Sequence, residues 1–257
     1  MNPNNWEKIF DKLLFQSSKR PETHFGRLGG GYNQALFDHE RKIIFIHTTK
    51  CGCTTVKNIF YEHMGVELPE DKFHVHHPSF LKNASGNYKI EKGVNFDEYV
   101  KFQFYRDPFQ RAACCFSWNQ EHQKIGGHPV LADNNPKAIQ KDGYMAVPCE
   151  FKCNSIHEFL EGLINNKVWK CWQCRVHTIK QFVETKIDEK INIANLDQEL
   201  ERLNKKYDLN LKNMSVEQHS LRKMGYKYDD YLDEKAIDLV KRAYPEDVEL
   251  FGENNEI

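Results

Sequence analysis

Two short apolar runs, each emptying into a polar loop and then into a helical face, constrain this chain more than any other feature. The first is Ile43-Ile44-Phe45-Ile46, β-branched and aromatic and bounded by polar residues, as a buried strand requires. It enters His47-Thr48-Thr49-Lys50-Cys51-Gly52-Cys53-Thr54-Thr55, after which Val56, Ile59, Phe60 and Met64 recur at helical spacing and Gly65 supplies a stop. The second unit starts at Val100-Lys101-Phe102-Gln103-Phe104-Tyr105 and passes through Arg106-Asp107-Pro108, with the proline where a first helical turn tolerates it. Its helix carries Phe109, Ala112, Ala113 and Phe116. A third strand is predicted at Ile191–Ala194, with Asp197 capping a helix that bears Leu200, Leu203 and Tyr207. A last helix, Glu234–Ala243, buries Ile237, Leu239 and Val240. Strands alternating with helices predict an α/β fold with a central, mostly parallel sheet and helices on both faces.

A chain of 257 residues suits one large domain, placed here at 41–257 behind an N-terminal helical and loop extension at 1–40. In that extension Trp6, Ile9, Phe10, Leu13 and Leu14 mark one helical face, and Gly26-Arg27-Leu28-Gly29-Gly30-Gly31 reads as a connection. The prolines and glycines of 126–149 predict a mobile loop. Lys+Arg (36) and Asp+Glu (37) nearly cancel, and the net charge of −1 gives no global field to gather nucleic acid or a polyanionic polysaccharide. Any anion site must be local. Met1–Lys19 lacks the apolar stretch of a signal peptide, and no run of eighteen apolar residues exists to span a membrane. The eight cysteines are accordingly read as reduced thiols of a cytoplasmic protein.

The loop after the first strand has the makings of a phosphate cradle. A helix N-terminus offers backbone N–H donors and a partial positive charge. Gly52 lets the backbone approach closely, Thr54 and Thr55 add hydroxyls, and Lys50 adds a full charge. The lysine precedes the glycine, unlike a Walker loop, so ATPase and kinase readings lose ground. The plainer alternative is that Thr54 and Thr55 cap a helix and Lys50 is a solvated charge. Arg106, at the carboxyl end of the second strand, sits where open α/β sheets put their ligands, and its guanidinium can grip a phosphate with two parallel hydrogen bonds. Its own plain alternative is an ion pair with a nearby carboxylate.

Ile43–Thr55 resembles the 5′-phosphosulfate-binding loop of sulfotransferases, an apolar strand followed by Pro-Lys-x-Gly-Gly-Thr-Ser. Phe104-Tyr105-Arg106-Asp107-Pro108-Phe109-Gln110-Arg111 resembles that superfamily's 3′-phosphate motif, nearest to the version in the carbohydrate branch. Ile191–Leu200 and Lys241–Gly252, with Tyr244, Asp247, Leu250 and Phe251, are similar to two further segments. The resemblance implies a three-layer sandwich with a P-loop-like turn, and 3′-phosphoadenosine 5′-phosphosulfate as donor, with the adenosine 3′,5′-bisphosphate as product. It implies that Lys50 touches the bridging oxygen and that Lys50, Cys51, Gly52, Cys53, Thr54 and Thr55 wrap the 5′-phosphate. Arg106 would hold the 3′-phosphate. Thr49 replaces the usual proline and Cys53 a glycine; Cys114 stands where the family has a serine on the 3′-phosphate. A thiol is a weak donor, so Ser117 or the pair Arg222-Lys223 is a candidate to compensate.

Sulfuryl transfer needs positioning, charge stabilisation and a base for the acceptor's proton. Some carbohydrate sulfotransferases keep a catalytic histidine in the interval that here contains Phe73-His74-Val75-His76-His77; His76 is the first choice, His74 the second and His77 the third. The rival is a surface loop of ordinary histidines. Trp169, Trp172 and Gln173 are candidates for the acceptor pocket, or else core, and His24, Asp133 and Glu150 for acceptor choice. The balanced charge favours a small molecule or sugar as acceptor, with neither nucleic acid nor membrane as partner. Cys149, Cys153, Cys171 and Cys174 have near zinc-ribbon spacing, yet a zinc or thiol protein would leave Lys50, Thr54 and Arg106 unexplained, so no metal is assigned. A non-catalytic nucleotide-binding module is the other alternative, favoured by Cys114.

Overall fold

The computed structural model describes residues 34–48, 50–68, 95–124, 128–130, 139–141, 144–147, 152–165, 181, 186–215 and 228–252. These form a mixed α/β protein with a central four-stranded, mostly parallel sheet and six α-helices. The chain groups into two compact units, 1–106 with 181–216 and 107–180 with 217–257.

The first unit contains the sheet. Strand β1 (Gln34–Asp38) turns back onto β2 (Ile43–His47), and these two are antiparallel. β2 then pairs in parallel with β3 (Val100–Tyr105), Ile43 opposite Val100 and Ile46 opposite Gln103. A later strand, Glu189–Asn192, joins the far side of β3 in parallel, with Tyr105 opposite Asn192. The carboxyl ends of three parallel strands therefore share one edge, and the chain leaves that edge at Thr48, Arg106 and Ile193.

Every residue of β2 is buried, which explains why its sequence runs apolar without alternating. Ile43 and Phe45 face a core that includes Phe102, Phe104 and Ile191, while Ile44 and Ile46 pack with Phe37 and Tyr99 on the other side. Helix α1 (Cys53–His63) contributes Val56, Ile59 and Phe60 to the first of these cores, and Gly65, at φ 68°, carries the chain away. A helix at Leu196–Tyr207 adds Leu200 and Leu203 to the same core.

That third segment differs in detail from its sequence-based expectation. The strand ends at Asn192, whose side-chain oxygen accepts from Ala194 N at 2.9 Å and starts a 3-10 turn at 193–195. Asp197 therefore lies inside the helix's first turn, not at its cap, and accepts from Asn213 Nδ2 at 2.7 Å. The same sheet adds β1, which has no counterpart among the predicted strands.

The second unit is built on helix α2 (Pro108–Lys124), with α3 (Ile156–Ile164), α5 (Glu234–Ala243) and α6 (Pro245–Phe251). The helix at 196–207 is α4 in this order. Phe109, Ala112, Ala113 and Phe116 are buried as their spacing predicts, with Phe159, Leu160, Leu239 and Val240. Ile237 is only partly buried, and Ala236 takes the better-covered position. The predicted loop over 126–149 instead contains strands β4 (His128–Val130), β5 (Ile139–Lys141) and β6 (Tyr144–Val147), an antiparallel sheet with β6 in the middle. The strand at 189–192 is β7. The N-terminal helix and glycine segment of 1–33 lie outside the described residues.

Candidate functional site

The turn between β2 and α1 winds tightly at the carboxyl edge of the sheet. Cys51 N donates to Thr48 O at 3.2 Å, and Lys50 and Gly52 both take left-handed backbone, at φ 65° and φ 68°. Gly52 has two reasons to be glycine. A side chain there would be strained, and its Cβ would stand 3.3 Å from Ile193 Cδ1, in the turn that leaves β7. Lys50 has no such excuse: a left-handed residue with a Cβ costs about 1–2 kcal/mol, so neighbouring interactions must hold it.

Gly52 is the N-cap of α1, and no side chain caps that helix. The first intrahelical bond runs from Val56 N to Gly52 O at 2.9 Å, so the N–H groups of Cys53, Thr54 and Thr55 have no acceptor within the helix. Thr54 and Thr55 lie inside the first turn and are not its caps. No acidic residue stands in that turn either. The other helices differ. Asp107 Oδ1 accepts from Phe109 N and Gln110 N, both at 3.0 Å, at the start of α2. Ser155 and Asp233 cap α3 and α5, and α4 and α6 carry two acids each in their first turns. Neither a capping side chain nor an acid of its own first turn offsets the positive end of α1.

Gln181 joins this turn to the next one. Its side chain is fully buried; Oε1 accepts from Arg106 N and from the Cys51 thiol, each at 3.1 Å, and Nε2 donates to Arg106 O at 2.7 Å. The Cys51 sulfur also accepts from Thr48 Oγ1 at 3.1 Å. The backbone of Arg106 and the side chain of Cys51 therefore meet on one amide. Nothing in the spacing of the sequence marks Gln181, a single polar residue far from both motifs. Its only signal is that two buried turns need a head group that both donates and accepts.

Lys57 sits one helical turn beyond Cys53 and is 1% exposed. Burial pushes its ammonium down to about 8, with partial compensation from the Cys53 side chain. Lys50, Gly52, Cys53, Thr54, Thr55 and Arg106 are half-buried at this edge.

In the second unit, Arg111 from the same eight-residue motif as Arg106 is 1% exposed, and its guanidinium lies over the Tyr244 ring at 5.5 Å. Burial pushes the Tyr244 hydroxyl up. Asp107 and Asp247 are buried too. The part of that eight-residue motif at 107–111 thus meets the patch at 241–252 within this unit. Cys114 also belongs to it, 6% exposed within the apolar cluster of α2. Ser117 is 4% exposed. Of the four cysteines with zinc-ribbon spacing, Cys153 is buried and its thiol donates to Asn119 Oδ1 at 3.5 Å.

Several sequence candidates lie outside the described residues: His24, His74, His76, His77, Asp133, Cys149, Glu150, Trp169, Cys171, Trp172, Gln173, Cys174, Arg222 and Lys223. Among the described residues, no helix is long and apolar enough to cross a membrane. A cavity of about 450 Å³ does open in the first unit, but at the opposite edge of the sheet, lined by Arg41, Glu62, His63, Asp208 and Lys212 among others. It shares no residue with the motifs.

No curated protein and no solved structure gives a significant match to this chain. A family model does match, over residues 33–133, a stretch that runs from the start of the sheet through α2 and includes Lys50, the α1 N-terminus, Arg106 and Cys114. Its description is the sulfotransferase family, so residues 33–133 of this chain are similar to that family.

Proposed function

We propose that this protein transfers a sulfuryl group from 3′-phosphoadenosine 5′-phosphosulfate to a hydroxyl or amine of a small-molecule or sugar acceptor. The observation that carries the proposal is the meeting of the Cys51 and Arg106 turns on Gln181, at the carboxyl edge of adjacent parallel strands. Open α/β sheets bind their ligands at that edge. The donor set there suits a doubly phosphorylated nucleotide: helix N–H groups without a side-chain cap, a lysine and an arginine.

The bound donor supplies an activated sulfuryl group. Around it, the N–H groups of Cys53, Thr54 and Thr55 hold the 5′-phosphate, with Gly52 permitting the turn. The Lys50 ammonium neutralises charge that builds on the oxygen between phosphorus and sulfur. The Arg106 guanidinium holds the 3′-phosphate, and Cys114, Arg222 and Lys223 are further candidates for that end. His76, or His74 in its place, takes the proton of the acceptor hydroxyl as it attacks. The near-zero net charge supports an acceptor that is not a polyanion.

Burial of Cys114 in an apolar cluster favours one competing reading, a nucleotide-binding module without turnover, because a thiol is a poor phosphate donor. An acceptor screen with radiolabelled donor separates the two. Labelled product that disappears in Lys50→Ala supports the transferase. Binding of the bisphosphate with no transfer to any hydroxyl or amine acceptor supports the module.

A further inference from the structure

Gln181 offers more than packing. Its amide makes three hydrogen bonds with full burial, two of them to the backbone of Arg106 and one to the thiol of Cys51. Cys51 in turn takes a hydrogen bond from the Thr48 hydroxyl and gives its own N–H to Thr48 O. Lys50 lies within this small ring, at φ 65°. The conformation that a lysine ordinarily avoids is thus pinned from both sides, and the pin extends to Arg106. Two cationic groups that must grip opposite ends of one ligand gain affinity when their separation is set before the ligand arrives.

We propose that Gln181 is a positioning residue of the donor site, fixing the Lys50 turn and Arg106 relative to each other. The inference rests on the proposed function above, which supplies the ligand with two phosphates. The side-chain chemistry is specific: the site asks one planar head for two acceptances and one donation. Glutamate lacks the donor, methionine lacks the oxygen and the N–H, and asparagine keeps the head but falls one methylene short.

The test uses the full chain as wild type, Gln181→Met and Gln181→Asn, with Lys50→Ala and Arg106→Ala alone and combined with Gln181→Met. Affinity for adenosine 3′,5′-bisphosphate is measured for all, and amide hydrogen exchange of the ligand-free protein is followed over 50–53 and 106. Gln181→Met is expected to weaken the bisphosphate about tenfold or more, as loss of preorganisation at both ends implies. The further loss should shrink to about threefold or less in the Lys50→Ala and Arg106→Ala backgrounds, because groups acting through one another are not additive. Gln181→Asn should fall between, and serves as the variant of record if Gln181→Met does not fold.

A merely structural glutamine would lower stability and leave affinity within about twofold, or weaken binding by the same factor in every background. Either result overturns the proposal. If the wild type itself ignores the bisphosphate, the proposed function fails, and exchange then decides the role of Gln181. Faster exchange at both turns together upholds the clasp, and unchanged exchange in either turn overturns it.

Discussion

The two edges of the four-stranded sheet handle polar groups in opposite ways. At the edge where β2 begins, charges answer one another. Asp38, fully buried at the end of β1, accepts from His63 Nε2 at 2.9 Å, from Arg41 N at 3.0 Å and from Arg41 Nη1 at 3.4 Å. Burial would push the Asp38 carboxyl up, but these partners win and hold it below the ordinary carboxylate value. Nearby, Lys212 pairs with Glu62. At the edge where β2 ends, the side chains of Thr48, Cys51 and Gln181 instead form a chain of hydrogen bonds that ends on the Arg106 backbone, and no acid stands at the start of α1. An edge whose charges are matched internally favours stability, whereas one whose side chains shape backbone turns and leave a helix N-terminus uncapped favours an anion. The cavity lies at the first edge and the proposed donor site at the second, so the two do not coincide.

If that contrast is right, mutations should separate function from stability by edge. The largest effect belongs to Lys50→Ala, expected to lower kcat for sulfuryl transfer by about 10²–10³-fold while the melting temperature stays near that of wild type. A comparable loss of stability would mean that Lys50 is structural. Next is Asp38→Asn, expected to destabilise the fold by about 2–4 kcal/mol through loss of a buried, hydrogen-bonded charge, yet leave bisphosphate affinity unchanged. Its sign with pH is fixed by the lowered carboxyl. The Asp38 contribution is complete above the ordinary value of 3.8 and is lost as pH falls through the lower folded value, so the wild type and the variant should converge in acid.

Lys57→Met should act in the opposite sense. The wild-type ammonium is held down near 8, so the folded state is penalised below that pH and the penalty fades as pH rises towards 10.5. Replacement should therefore stabilise the protein by roughly 2 kcal/mol at pH 7, and by much less above pH 10. A destabilised variant would show that the lysine stem's packing outweighs its buried charge. Smallest is Gly52→Ala, where left-handed backbone and the 3.3 Å approach to Ile193 should cost about 1 kcal/mol and weaken the bisphosphate in parallel. Unchanged affinity would detach the turn from the ligand.

Much of this arrangement is legible from local sequence. Ile43–Ile46, Val100–Tyr105 and Glu234–Ala243 announce themselves through periodicity and through Gly65 and Pro108, because burial and backbone sterics act on neighbours along the chain. Asp197 misleads because Asn192 begins a 3-10 turn first, a competition between two capping side chains that composition does not decide. The small sheet at 128–147 is hidden because Pro129 argues against a strand yet sits on an edge one, and because strand pairing is set by tertiary partners. Gln181 is hidden for the same reason. It lies 130 positions from Cys51 and 75 from Arg106, and only the fold brings them together.

That Lys50 and Arg106 serve opposite ends of one nucleotide is tested by comparing the affinities of adenosine 3′,5′-bisphosphate and adenosine 5′-monophosphate. Wild type should prefer the bisphosphate by about tenfold or more, as a charge-assisted bidentate contact implies, and Arg106→Ala should bind the two nucleotides about equally. A wild type that does not distinguish them, or an Arg106→Ala variant that keeps the full preference, would contradict it.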